Sequence, residues 1–332
     1  WLGEAAGLDD VERRMRTLAL EAGGPVAGPM AVEQLATGGK RVRARLALAA
    51  AAARGAPGDA AVAWAAAVEL LHNATLVHDD IEDGDRMRRG RPTLWAVHGL
   101  AQAINAGDLL LMLPFAALRE LPAAVRGELA SRIAARAVRT VGGQASELEL
   151  LASQRLDWAS YHDAVAGKTG ALLALPVEGA VLLAGRTPAE TERLAAPFVE
   201  LGVLFQLQDD VLDLYGDKGR AEVGSDLYEG KVSALVVEHL ARHPAERAAL
   251  CRLLAAPRDA TPAADVAATL AAFRHGGALE AVLGRIDALG AAIFDSAPLR
   301  REPALHAVAK ELVELATAPI RHVACERKER VA

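Results

Sequence analysis

Residues 58–82 read GDAAVAWAAAVELLHNATLVHDDIE. After Gly58 the run holds neither glycine nor proline and is built mainly of Ala, Leu and Val. It is too long for a strand, and alanine is the best helix former. A helix over 58–82 follows, with acids at its C-terminal end. A second helix is expected over 187–215, which also ends in acids. Short Gly/Pro/Asp breaks at 23–29, 55–58, 84–92, 185–188, 216–230 and 256–262 divide the remaining helical segments. Alternating strand patterns are missing, and Asp83–Gly84 sits among charges rather than between strands. The expectation is an all-α chain of about a dozen helices with essentially no sheet. Residues 1–332 read as one large helical bundle whose site lies in a central cavity between facing helices.

With 52% hydrophobic and 4% aromatic residues, the core of this 332-residue chain must be Ala, Leu and Val. The net charge of −6 excludes a general nucleic-acid-binding surface. An acidic chain that holds a polyanion needs local bases or metal ions. Two cysteines, Cys251 and Cys325, read as unpaired thiols in a reducing cytoplasm. No charged, then apolar, leader opens the sequence. The apolar stretches 109–118 and 171–185 are too short, or interrupted by Pro176 and Glu178, to be expected to cross a bilayer. Between Tyr215 and Lys231 a long loop carries Gly216, Gly219, Gly224 and Gly230, the form of a functional lid.

The acids form two clusters of one pattern: Asp79-Asp80-Ile81-Glu82-Asp83 and Asp209-Asp210-Val211-Leu212-Asp213. Positions i and i+4 share a helix face, so Asp79 points with Asp83 and Asp209 with Asp213. Like charges at that spacing destabilise a helix unless a cation sits between them. Mg²⁺ suits them, because it takes oxygen ligands and binds one or two carboxylates plus substrate phosphates. An EF-hand loop starting at Asp79 fails, since Ile81 and Gly90 stand where ligands are required. One DDxxD is a weak signal, but a pair on two long apolar helices is much stronger.

The sequence resembles the trans-prenyltransferases, the (E)-polyprenyl diphosphate synthase family, and most of all geranylgeranyl diphosphate synthases. Besides the acidic motifs, the resemblance rests on Gly38-Gly39-Lys40-Arg41-Val42-Arg43, His72, Arg88-Arg89-Gly90-Arg91-Pro92-Thr93 and Asn105-Ala106-Gly107-Asp108. Gly143-Gln144, Lys168-Thr169, Phe205-Gln206 and Gly230-Lys231 follow in family order. It covers residues 36–235. It implies prenyl transfer: an allylic diphosphate (C5 to C15) and isopentenyl diphosphate condense head to tail, with about three Mg²⁺ ions. It also implies a homodimer in the cytoplasm. Asp79, Asp83 and Asp209 are the implied metal ligands, with Asp80 and Asp213 as further candidates. Asp79, Asp80, Asp83, Lys168, Asp209 and Asp210 are the implied catalytic set. Arg88, Lys168, Thr169, Gln206 and Lys231 would hold the allylic diphosphate. Lys40, Arg43, His72 and Arg89 would hold isopentenyl diphosphate, and Gln144 and Phe205 would line the reacting centre.

The chemistry makes the same demand. An ionising diphosphate needs metal ions and cationic clamps on its departing oxygens, whereas the second diphosphate must stay intact and suits bases alone. The family's floor for a C15 product is a bulky aromatic five residues before the first motif. Here that residue is Ala74, beside Thr75. The expected floor is therefore Leu70 and Leu71, helped by Met112 or Phe115, and the expected product is C20, with longer chains as competitors. Three departures stand out: Ala221 where a lysine is usual (Arg220 its neighbour), Glu147 where an aspartate is usual, and Ser233-Ala234-Leu235 after Lys231. A basic tail, Arg327-Lys328-Glu329-Arg330, ends the sequence. Arg86 and Arg91 take solvated roles, and Trp95 and Met112 read first as packing residues. A class I terpene cyclase would lack Asp209–Asp213 and the bases at Lys40 and Arg43. A modulatory partner subunit would have lost an acidic motif.

Overall fold

The computed structural model describes residues 6–216 and 224–323, so Arg220, Ala221, Cys325 and the tail from Arg327 to Arg330 lie outside the described residues. The described residues are overwhelmingly helical. They group into two units, the first comprising 1–137 and 172–196, the second 138–171 and 197–332.

The first unit begins with α1 (Leu8–Ala22), α2 (Gly24–Leu35), α3 (Val42–Arg54) and α4 (Gly58–Glu82). Residues 87–92 form β1 (Met87–Arg88) and β2 (Arg91–Pro92), followed by α5 (Leu94–His98) and α6 (Leu100–Ala117). Residues from α7 (Ala123–Glu149), α9 (Ala171–Leu183) and α10 (Pro188–Tyr215) complete it; α8 (Trp158–Val165) belongs to the second unit. Within the first unit α4 is central, packed against α1, α3 and α6. Its alanines make this dense packing possible: Ala63, Ala65, Ala66 and Ala67 are all buried. Trp64 is fully buried and donates from Nε1 to the Pro176 carbonyl at 2.9 Å. Its ring lies so close over Gly179 that no side chain fits at 179.

Antiparallel β1 and β2 pair Arg88 with Arg91 around the turn Arg89-Gly90. Both turn residues have positive φ, 53° and 74°. That is the handedness a two-residue hairpin turn requires. The sequence pattern does not reveal this hairpin, because two-residue strands are too short to alternate.

The second unit continues with α11 (Ser225–Tyr228), α12 (Ala234–Arg242), α13 (Arg247–Leu254) and α14 (Ala263–His275). It ends with α15 (Ala278–Phe294), α16 (Ala297–Arg300) and α17 (Pro303–Thr317). A π-helical turn, Ala166–Gly170, joins α8 to α9. Asp157 caps α8 by accepting from the Ser160 amide at 3.0 Å. Around α12 pack α8, α14 and α15.

Among the described residues three helical stretches are long and apolar enough to cross a membrane by length and composition, and two of them overlap 109–118 and 171–185, expected to be too short or interrupted by Pro176 and Glu178. Buried inside the chain are 83% of the Gly58–Glu82 window and 89% of the Trp158–Leu183 window, but only 39% of Leu100–Ala117.

Candidate active site

In the first unit, α4 delivers Asp79 to its last turn and Asp83 to its C-cap, one turn apart on one face. Asp80 faces the opposite way. It is buried, and its Oδ1 accepts from Arg88 Nε at 2.5 Å. Burial pushes its carboxyl up to about 6, against the pull of Arg88. Asp80, a further candidate ligand and one of the implied catalytic set, thus points inward and holds Arg88. Gly107 on α6 admits His78: a Cβ there would lie 2.5 Å from its Nε2. This explains the glycine of the Asn105–Asp108 motif.

The implied isopentenyl diphosphate residues converge beside the start of α3. Arg43 Nη1 donates to His72 Nε2 at 3.1 Å. Burial, then the charges of Arg43, Arg89, Arg88 and Arg41, hold His72 well below its usual range, so the ring is neutral. Nε2 accepts, and the ring proton is on Nδ1. Neither His72 Nδ1 nor Arg43 Nε has a hydrogen-bond partner, although both are buried. Two buried donors among guanidinium groups form a setting for an anion. The Arg89 guanidinium lies against Gly39 and donates to the Gly38 carbonyl. Gly39 holds φ 118°, a conformation that side chains rarely adopt, which is why this loop needs its second glycine. Lys40 is exposed beside them.

Arg41 is no solvated base. It is buried at φ 49° and bonds to Glu12, the Leu35 carbonyl and Glu69. Glu69 escaped the sequence reading, although a carboxylate amid Ala65–Leu71 was a signal, because burying it unpaired is costly. Its Oε1 takes Arg41 Nη1 at 3.4 Å and its Oε2 takes the Ala44 amide in the first turn of α3 at 3.2 Å. Glu69 thereby pins the segment that carries Lys40 and Arg43. Arg86 and Arg91 are exposed but engaged: Arg86 lies 5.0 Å over the Trp95 ring, and Arg91 donates to the Ala36 carbonyl at 3.2 Å.

Of the expected floor residues, Leu70, Leu71 and Ala74 are buried, and Thr75 bonds back to the His72 carbonyl at 2.8 Å. Met112 is 56% exposed and Phe115 39% exposed, so in the single chain neither is an enclosed floor residue. Helix α6 is apolar on nearly every side, which hid from the sequence which residues face inward.

In the second unit, the π-helical turn presents Lys168 and Thr169. It is gripped by glycines: Gly143 of α7 lies against the Lys168 amide and Gly167, and a Cβ at Gly202 of α10 would lie 2.5 Å from the Gly170 Cα. Lys168 Nζ meets Glu147 Oε2 at 2.5 Å, so the Glu147 departure keeps a carboxylate on the lysine. Thr169 donates to Gln206 Oε1 at 3.3 Å, and Gln206 donates to Asp210 Oδ1 at 3.0 Å. Gln144 and Phe205 are half-buried.

The second acidic motif departs from the first: its two end aspartates, Asp209 and Asp213, expected to point together, differ in burial. Asp209 is exposed. Asp210 is buried, and its Oδ2 accepts from Tyr161 Oη at 2.6 Å and from the Ala234 amide at 2.7 Å. Burial raises its carboxyl to about 6, against those hydrogen bonds. Asp213 is also buried, taken by Ser225 Oγ and the Asp226 amide, each at 2.9 Å. Asp213, a further candidate ligand, thus points inward, and Asp210, one of the implied catalytic set, is held by three hydrogen bonds. Lys231 Nζ is 2.8 Å from Glu229 Oε2, and Arg258 Nη1 binds Glu229 Oε1 at 3.1 Å.

Among the described residues no group of three or more His, Cys, Asp or Glu is placed to hold a metal ion by itself. In the first unit the neighbouring carboxylates of Asp79 and Asp83 still fit Mg²⁺, which binds through few carboxylates and completes its shell with water and phosphate oxygens.

Comparison with known proteins matches this arrangement. The family model for polyprenyl synthetase matches residues 29–272. A short chain isoprenyl diphosphate synthase of Methanocaldococcus jannaschii is 38% identical over 209 residues, 62% of this chain and 64% of that protein. A (2E,6E)-farnesyl diphosphate synthase of Mycobacterium tuberculosis is 37% identical over 54% of this chain and 50% of its own length. A geranylgeranyl diphosphate synthase of the same species is 37% identical over 69% and 66%. The chain thus spans between half and two thirds of the length of these curated relatives. A crystal structure of a polyprenyl synthase from Caulobacter crescentus CB15, complexed with calcium and isoprenyl diphosphate, shares the fold. Its TM-score is 0.82 at 29% identity, over 94% of each chain. This chain belongs to the polyprenyl synthetase family.

Proposed function

We propose that the chain, acting as one domain over residues 1–332, is a Mg²⁺-dependent prenyltransferase. It joins isopentenyl diphosphate to an allylic diphosphate of C5 to C15, head to tail, and releases an all-trans prenyl diphosphate, with C20 as the main product. The observation that carries this reading is the Arg43–His72–Arg89 cluster, whose buried donors Arg43 Nε and His72 Nδ1 suit a diphosphate held without metal. Lys40 adds a flexible charge at its rim. The neutral His72 donates from Nδ1, and Arg89, fixed against Gly39, adds planar contacts.

In the first unit Asp79 and Asp83 would hold Mg²⁺ and Arg88 would offer a cation to the allylic diphosphate; in the second unit Asp209 would serve as a ligand, with Lys168 and Lys231 as cations. Mg²⁺, when bound, supplies charge stabilisation to the departing diphosphate. Thr169 and Gln206 are held by hydrogen bonds at the reacting centre, with Asp210 behind them. The allylic C–O bond breaks, the isopentenyl double bond attacks the allylic carbon, and a proton leaves the new chain. Apolar walls keep water from the cation.

Relatives named for farnesyl and for geranylgeranyl diphosphate share the same 37% identity, over 54% and 69% of this chain, so the product reading rests on this chain's own residues. Ala74 leaves the wall small, and Leu71 lies about one turn further along α4. The test is product analysis with radiolabelled isopentenyl diphosphate and C5, C10 or C15 primers in Mg²⁺. C20 is expected; products of only C10 or C15 overturn the open floor, and C25 or more places the floor deeper.

The working form is a cytoplasmic homodimer. Helix α6 exposes Leu100, Ile104, Met112 and Phe115, and α7 exposes Val138, Val141 and Leu148, each an apolar face of the kind a second copy covers. Light scattering should return twice the chain mass.

A further inference from the structure

Asp210 accepts from three donors on its two oxygens. Two of them come from different elements and meet on one atom. Tyr161 of α8 and the amide of Ala234, the first residue of α12, both donate to Oδ2. Asp209, the exposed member of the motif, is the preceding residue, and Lys231 lies three residues before Ala234. One oxygen therefore joins the segment that carries Asp209 to the segment that carries Lys231.

Tyr161 suits this task. It is fully enclosed, and burial followed by the Asp210 charge holds its hydroxyl proton far above the usual tyrosine range, so it donates at any working pH. A second contact also holds α8 to α12. Arg285 lies 3.8 Å over the Trp158 ring and donates from Nε to buried Glu238 of α12 at 2.5 Å. Trp158 and Tyr161 rings stand 5.6 Å apart. Of the two aromatic residues, Tyr161 is bonded to the motif and Trp158 packs beside it.

We infer that Tyr161 is a positioning residue for the allylic diphosphate: its hydroxyl fixes Asp210 so that Asp209 and Lys231 are presented together. The inference rests on the function proposed above. It would act on the ionising substrate and not on isopentenyl diphosphate, whose implied residues belong to the other unit.

The test is Tyr161→Phe, which keeps the ring and removes the hydroxyl, beside Trp158→Leu, which removes packing and keeps it. Calorimetry with inorganic pyrophosphate and Mg²⁺ reads binding without turnover. Loss of a hydrogen bond to a buried charge should weaken pyrophosphate binding and raise the allylic KM by about tenfold in Y161F. The KM for isopentenyl diphosphate should stay unchanged. W158L should lower the melting temperature and leave pyrophosphate binding as in the parent. A folded Y161F that binds pyrophosphate like the parent overturns the inference, as does W158L weakening binding equally. If Y161F does not fold, Tyr161→Met, whose flexible side chain refills the space, is compared in the same way. A parent chain that binds pyrophosphate with Mg²⁺ but makes no prenyl product overturns the proposed function instead.

Discussion

Glu69→Gln is the perturbation that best separates structure from chemistry in the first unit. Glu69 is 3% exposed, and its two oxygens accept from Arg41 Nη1 and the Ala44 amide. Glutamine keeps the shape but offers one acceptor oxygen, so its NH₂ must face one of the two donors. Arg41 is also buried, and its remaining partners are Glu12 and the Leu35 carbonyl. Breaking a buried ion pair from one side costs about 3–5 kcal/mol, and Glu12 at the rim offsets part of this. A net loss of about 3–4 kcal/mol lowers the melting temperature by about 4–6 °C in a chain of this size. Because the lost contact pins the first turn of α3, Arg43 moves with it. The KM for isopentenyl diphosphate should rise by about tenfold while that of the allylic primer changes little. Thermal melts followed by circular dichroism, with steady-state kinetics for each substrate, check both halves. An unchanged melt refutes the pairing argument. A rise confined to the allylic KM refutes the assignment of this loop.

Leu71→Ala should lengthen the product by about one isoprene unit, since a helical turn is about 5.4 Å; radio-chromatography reads it, and an unchanged distribution puts the floor elsewhere. Asp209→Asn should cut kcat by about 10²-fold or more with little change in melting temperature, whereas Asp213→Asn, a buried strut, should lower the melt first. The hydrogen bond to Glu200 raises His162 above its ordinary 6.5. A raised histidine contributes its full stability below the unfolded value and loses it as pH climbs through the folded one. Glu200→Gln should therefore cost more melting temperature at pH 6 than at pH 9, and an equal loss at both would sink the ion-pair reading.

Helix α4 was legible to the residue, Gly58–Glu82, because its alanines set the helix and its acids and Gly84 end it. The second long helix was expected from 187 and begins at Pro188. Motif spacing gave the shared faces of Asp79 with Asp83. What spacing could not give is which aspartates turn inward, because that depends on partners distant in sequence: Tyr161 for Asp210 and Ser225 for Asp213. The middle aspartate of the first motif has a nearer partner, Arg88, but a two-residue hairpin places it, and that hairpin leaves no periodic trace. Glu147 stands where the family has an aspartate, and residue type alone does not say whether it keeps the contact. Its extra methylene still brings the carboxylate to Lys168.

The hairpin from Met87 to Pro92 also sets a rule about length. Arg88 and Arg89 are neighbours with the same side chain, yet one is sent to Asp80 and the other to Gly38 and Gly39. What tells them apart is their place in the hairpin: Arg88 ends β1, whereas Arg89 opens the turn at positive φ. One residue inserted between Arg88 and Arg89 would turn Arg88 to the other face of β1 without changing any charge. This segment should therefore tolerate many substitutions at Arg86 and Met87 and no change in length.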